Sequence, residues 1–291
     1  MHKKWLYLLV LSLIWGSSFI LIKKGLVGLN YFQLGSLRIV LTSLMLFPVG
    51  FKSLRQIQKK HWMWIAVSGF VSSFFPPFLF AMAQNHIDSA VASILNSLTP
   101  LATVVVGVVL FRIINTKRQV IGVFVGLLGT VFLILAGSKI HSNQNYWYST
   151  LILIATLGYA FNVNIIKKHL SDISALAVTT GNFLFIFLPA VVVLYFSGFF
   201  EAIATSKEMQ EAAAYIVILS LFGTAIAKVL FNKMVQISSP VFASSVTYTM
   251  PIVAVLWGIL DGERFSIFQL VAAAIILFGV FLSHRKTPRK L

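Results

Sequence analysis

Residues 89–111 read SAVASILNSLTPLATVVVGVVLF, and residues 240–262 read PVFASSVTYTMPIVAVLWGILDG. Each stretch is long and apolar enough to cross the hydrocarbon of a bilayer as one helix. Ser93, Pro100 and Gly107 stand seven apart in the first; Ser244, Pro251 and Gly258 stand seven apart in the second. Seven residues is close to two helical turns, so each trio falls on one face. A proline inside a spanning helix returns no N–H to the carbonyl four residues back. Those carbonyls belong to Asn96 and Thr247, so each copy predicts a kink and a spare acceptor beside a polar side chain. Two copies of one membrane helix decide the fold class: an all-α polytopic membrane protein carrying an internal duplication.

The duplication extends outward. LFAMAQNHIDSAVASILNSLTPLATVVVG at 79–107 aligns without a gap with LFNKMVQISSPVFASSVTYTMPIVAVLWG at 230–258. WGSSFILIKKGL at 15–26 resembles YAFNVNIIKKHL at 159–170, and Gln119 to Phe132 pairs with Gln269 to Leu282, sharing Gly129 and Gly279. Ten apolar segments are expected, near 5–22, 32–50, 62–82, 89–111, 119–136, 147–166, 176–197, 212–234, 240–260 and 267–284. The repeats divide the chain into 1–140 and 141–291, with five spans each. Five is odd, so the second half is expected upside down relative to the first, as two inverted five-helix repeats.

Composition agrees with a membrane class. The chain is 58% hydrophobic and only 10% charged, with a mean hydropathy of +0.92; a single soluble core cannot bury that much apolar surface. The opening MHKKWLYLLVLSLIWGSSF has the form of a secretory signal, but nine similar segments follow, so it reads as the first span. Apolar runs of this length exclude an outer-membrane barrel, whose strands are short and alternating. The net charge of +16 is placed in short connections, which suits membrane topology and not a nucleic-acid partner. Sixteen Lys and Arg fall on one side and five on the other, with Arg38 and Lys228 left inside spans. The basic side is cytoplasmic, so both termini are expected there.

The whole pattern resembles the EamA family of the drug/metabolite transporter superfamily. The likeness rests on the five-plus-five repeat, WGSSF in the first span, SLRIVL around Arg38, the run SPVFASSVTYTMPIVAVLWGILDGE at 239–263 and QLVAAAIILFGVFL near the end. Pro251 and Gly262–Glu263 match the family's proline and Gly-Glu pattern; the first half departs from it with Phe111–Arg112. The resemblance implies a multi-pass carrier of the inner (plasma) membrane, often an exporter of amino acids, other metabolites or toxic compounds.

Candidate binding residues come from polar groups at membrane depth, which are costly toward lipid. Ser220, Thr224, Lys228, Asn232 and Gln236 recur every fourth position on the eighth span. Lys228 is expected to hold the carboxylate of an amphipathic substrate, with Thr224 and Asn232 beside it. Ser93, Asn96, Thr247 and Tyr248 come from the proline helices. Trp15 and Tyr159 occupy equivalent repeat positions deep in their spans, as do Ser18 and Asn162, and the two aromatic rings suit stacking on a substrate. Arg38 reads as structural, snorkelling outward or binding helix-end carbonyls.

The expected partners are a small-molecule substrate and the lipid bilayer, with the chain a monomer or a homodimer. No cofactor, metal or catalytic group is expected: there is no cysteine, no phosphate loop, no HExxH and no G-x-S-x-G, and the six histidines lie near span ends. The function expected is export of an amino acid or related compound by alternating access, by facilitated diffusion since Asp88, Asp261 and Glu263 lie only at outer ends. A broad-specificity drug exporter is the alternative within transport, and a lipid-modifying membrane enzyme the alternative outside it.

Overall fold

The computed structural model describes residues 2–111, 145–238, 240–244, 246–263 and 266–284, with scattered positions between 118 and 132. The expected fifth span at 119–136 lies largely outside the described residues, as do Arg112 and the basic residues 285–291. Every regular element among the described residues is helical. Eight stretches there are long and apolar enough to cross a membrane. The chain is an all-α polytopic membrane protein.

The helices are α1 (His2–Gly28), α2 (Tyr31–Gly50), α3 (Lys59–Gly69), α4 (Phe75–Gln84), α5 (Ser89–Asn96) and α6 (Thr99–Phe111), then α7 (Ser149–His169), α8 (Ala175–Phe196), α9 (Phe199–Ile203), α10 (Lys207–Ile218), α11 (Ala227–Ile237), α12 (Pro240–Ser244), α13 (Val246–Leu260) and α14 (Ile267–His284). Short caps turn the chain sharply. Asn30 accepts from the N–H groups of Phe32 and Gln33, and the Gln33 side chain accepts from the Asn30 N–H at 3.0 Å, a reciprocal cap that starts α2 two residues after α1 ends.

Two spans contain a π-helical segment. Phe70–Phe74 joins α3 to α4, and Leu219–Ile226 joins α10 to α11. Carried back at the same spacing, the alignment of 79–107 with 230–258 brings these segments to matching positions. Widened turns of this kind break the regular ladder and turn backbone groups toward a neighbour. The first proline helix is interrupted at Ser97–Leu98, between α5 and α6. The expected spare acceptor is not spare, however: the Thr99 hydroxyl donates to the Asn96 carbonyl at 2.7 Å.

Packing runs across the two sequence halves. α1 packs on α10, α11 and α13; α2 packs on α8; α6 and α4 pack on α7; and α5 packs on α13. Large apolar side chains such as Leu188, Phe196, Val109 and Leu260 point outward, where lipid contacts them. Trp5 and Trp147 are exposed near span ends, as interfacial anchors require. Trp64 stacks on His169 with centroids 3.8 Å apart.

Candidate substrate cavity

A cavity lies between the halves, with about 830 Å³ of empty space, its mouth included. Seven of the ten sequence-predicted residues line it: Trp15, Asn96, Tyr159, Asn162, Thr224, Lys228 and Thr247. Ser18, Arg38, Ser72, Ser73, Pro77, Phe80, Thr99, Phe231 and Ser244 are also on its wall.

The two π segments contribute Ser72, Ser73, Gly223 and Thr224 to its wall. Pro76 returns no N–H to the carbonyl four residues earlier, that of Ser72. The Lys228 ammonium fills the gap, donating to the Ser72 carbonyl and to the Ser72 Oγ, each at 3.0 Å. The equivalent position in the second half is Gly223, and its carbonyl accepts from the Trp15 indole N–H at 2.9 Å. Each π segment is thus tied by a side chain from the opposite half.

The aromatic walls repeat this exchange. Trp15 packs on Phe231 with ring centroids 5.1 Å apart, and Tyr159 packs on Phe80 at 6.1 Å. Phe80 and Phe231 are equivalent in the repeat. The Lys228 Nζ lies 5.8 Å from the Tyr159 ring centroid, within cation–π range. Asn162 is fixed by accepting from the Ser68 hydroxyl at 2.6 Å.

Three predicted residues do not line the cavity. Ser93 is fully buried on α5, its hydroxyl without a partner among the described residues. Asn232 turns to α8 and donates to the Thr179 hydroxyl at 2.9 Å. Tyr248 packs against the hydrophobic core behind the cavity wall. The polar stripe of the eighth span divides: within α11 a four-residue step drifts by about 40° around the helix, carrying Asn232 and Gln236 away from Lys228. Only Thr224 and Lys228 face inward. Ser220 donates to the Arg38 carbonyl, and Gln236 donates to the carbonyls of Leu170 and Ile173.

Arg38 is the chief residue that sequence reasoning misplaced. It neither snorkels nor staples a helix end; its Nε donates to the Thr224 hydroxyl at 2.8 Å, on the cavity wall. Phe80, Phe231, Ser72 and Ser73 went unremarked as wall residues. The gapless repeat alignment pairs Phe80 with Phe231, a signal that was available.

A second polar cluster joins the end of α13 to the start of α5 and to α1. Gly262, at φ +84, allows the turn in which Glu263 N–H donates to the Gly258 carbonyl at 2.8 Å and Gly262 N–H to Ile259 at 3.1 Å, a Schellman C-cap. The turn brings the buried Glu263 carboxylate to the start of α5. There it accepts from the Ser89 hydroxyl at 2.6 Å, the Ser89 N–H at 3.2 Å and the Lys23 ammonium at 2.9 Å. An added Cβ at Gly258 would stand 2.5 Å from Glu263 Oε2, so glycine there makes room for the carboxylate. Asp261 pairs with Lys23 at 2.8 Å and with Lys24 at 2.5 Å. Burial pushes the Asp261 carboxyl up, but the two ammonium groups outweigh it and hold it below the ordinary value.

The sequence carries the family match across most of its length: residues 3–135 and residues 146–285 each fit the EamA-like transporter family. The chain belongs to the EamA-like transporter family. It is a multi-pass membrane protein of that family. It is similar to the "Uncharacterized inner membrane transporter YedA" of Escherichia coli K12, 28% identical over 200 residues. That match covers 68% of this chain and 63% of the length of the relative. An "Uncharacterized transporter" of Archaeoglobus fulgidus is 24% identical over 286 residues, covering 98% of this chain and 99% of the relative. The "Probable terminal-alkyne amino-acid exporter" of Streptantibioticus cattleyicolor is 26% identical over 293 residues, covering 98% and 94%. A protein of known crystal structure superposes with a TM-score of 0.67 at 18% identity, covering 97% of this chain and 96% of that one. That likeness is one of fold.

Proposed function

We propose that the chain is an inner-membrane carrier that exports a small amphipathic metabolite, an amino acid or related compound, by alternating access. Its ten spans would form two inverted five-helix repeats over 1–140 and 141–291, with both termini cytoplasmic. The observation that carries this reading is the cross-tied cavity. Lys228 of the second half holds the Ser72 carbonyl of the first, while Trp15 of the first half holds the equivalent Gly223 carbonyl of the second. Helix contacts support it: α1 with α13 mirrors α7 with α6, and α2 with the second π segment mirrors α8 with the first. A two-fold interface of this kind can rock between two openings while the site stays near the midplane.

In the site, Lys228 faces the substrate carboxylate, Trp15 and Tyr159 with their Phe partners hold its apolar part, and Asn96, Asn162, Thr224 and Thr247 supply neutral hydrogen bonds. The amino-acid assignment draws on these groups and on the exporter relative. Movement down the substrate gradient is the proposed mode.

Comparison of extracellular metabolites from cells with and without the chain tests the reading. A carboxylate-bearing compound should accumulate outside only where the chain is present, and Lys228→Ala should remove the difference. In proteoliposomes its flux should be indifferent to a pH gradient. Identical metabolite profiles from a chain that reaches the membrane would overturn the proposal.

A further inference from the structure

Two side chains on the cavity wall are basic, Arg38 and Lys228. Among the described residues the wall holds no Asp or Glu, and neither cation has an ion-pair partner there.

Their hydrogen bonding shows how they are held. Thr224 donates its proton to the Leu219 carbonyl at 3.2 Å, so its oxygen is left to accept from Arg38 Nε. That bond fixes the guanidinium by its inner nitrogen. No acceptor among the described residues takes up its two terminal nitrogens, and Arg38 is on the cavity wall, so the fork that matches a carboxylate or phosphate is left for a ligand. Ser72 Oγ likewise donates to the Ser68 carbonyl at 2.7 Å and offers Lys228 a lone pair. Lys228 is therefore positioned by neutral groups, with no carboxylate paired to it among the described residues.

Two basic groups without a counter-charge in a largely apolar cavity are unfavourable until a ligand supplies one. A monocarboxylate neutralises one of them. A zwitterion brings a third positive charge. A compound with two acidic groups neutralises both. Thr224 and Lys228 stand one turn apart on the same wall, about 6 Å along the helix axis, so the acidic groups should be separated by a short chain. The aromatic pairs Trp15–Phe231 and Tyr159–Phe80 enclose the apolar middle of such a molecule.

We propose that the cavity is selective for net-anionic compounds carrying two acidic groups, with Arg38 taking one in its fork and Lys228 taking the other. The proposal rests on the cavity being the transport site and narrows the substrate class from carboxylates in general to dianions. An acidic amino acid supplies both acidic groups but adds an ammonium of its own, so it should bind less tightly than the matching dicarboxylate; neutral amino acids fall outside the class.

Calorimetric titration of the purified full chain with glutarate, butyrate and norvaline tests it. Glutarate should bind about tenfold or more tighter than either of the others, the equivalent of one charge-assisted bond. Arg38→Gln should shrink that preference to about threefold or less, and Arg38→Lys, which keeps the charge and loses the fork, should fall between. Equal, Lys228-dependent binding of all three probes would overturn dianion selectivity and leave the carrier reading standing. A monodisperse Arg38→Gln protein that retained the full preference would overturn it too. No Lys228-dependent binding of any probe would overturn the cavity as the binding site, and this inference with it.

Discussion

Lys228 is conspicuous in the sequence because it is a lone cation in the apolar stretch 212–232. The structure gives it partners that the sequence does not display: the carbonyl and hydroxyl of Ser72, 156 residues earlier. Replacing it with alanine removes the charge and leaves the Ser72 carbonyl unfilled. Flux of a carboxylate substrate in proteoliposomes should fall about a hundredfold or more, the scale expected for one member of a buried charge pair. Trp15→Phe keeps the contact with Phe231 and loses only the N–H to Gly223. Its flux should drop about three- to tenfold, the worth of one neutral hydrogen bond; Trp15→Ala should do more damage because the wall goes as well. Arg38 shows where residue-scale reading stops. From its depth alone a long cation can snorkel, and only the position of Thr224 on a neighbouring helix turns it inward. Asn232 erred the other way, since a polar side chain at depth needs protein on its side but not a cavity.

At the scale of elements, most helices and their kinks were legible because hydrophobic length and proline position act locally. The π segments were not. Nothing in the composition of 70–74 or 219–226 announces a widened turn, which depends on how α7 and α2 pack against it. The Gly-Glu pair is similar: Gly262 reads as a turn, while the reach of Glu263 to the start of α5 is a tertiary fact. Because the Glu263 side chain is only 1% exposed and holds Ser89 and Lys23, Glu263→Gln should destabilise the fold by about 1–3 kcal/mol. A lowered unfolding temperature in detergent would register it. The Asp261 pairs predict an acid limit. Its carboxyl titrates below the ordinary 3.8 in the folded protein, so its contribution is complete above that value and is lost as the pH falls through the lower folded value. Unfolding temperatures measured from pH 6 to about pH 3 should decline at the acid end, and the decline should be shallower in Asp261→Asn.

On the scale of the whole molecule, the duplicated sequence and the hydropathy of the spans pointed to a helical membrane protein, and the family match agrees. Which helices of the two halves meet was beyond the sequence, because repeats specify equivalence and not contact. The cavity between them holds the central claim, a midplane site that opens alternately to each side. The chain has no cysteine, so single cysteines report without background. Ser73→Cys places a thiol on the cavity wall; Lys233→Cys and Lys207→Cys place one near the expected inner and outer ends. Labelling with a membrane-impermeant maleimide, applied separately to right-side-out and inside-out vesicles, is the most direct measurement. The account predicts that the Ser73→Cys thiol reacts from either side and is protected by substrate, while Lys233→Cys reacts only from the cytoplasmic side and Lys207→Cys only from the outer side. A Ser73→Cys thiol that reacts from one side alone, with and without substrate, in a protein that still transports, would contradict it.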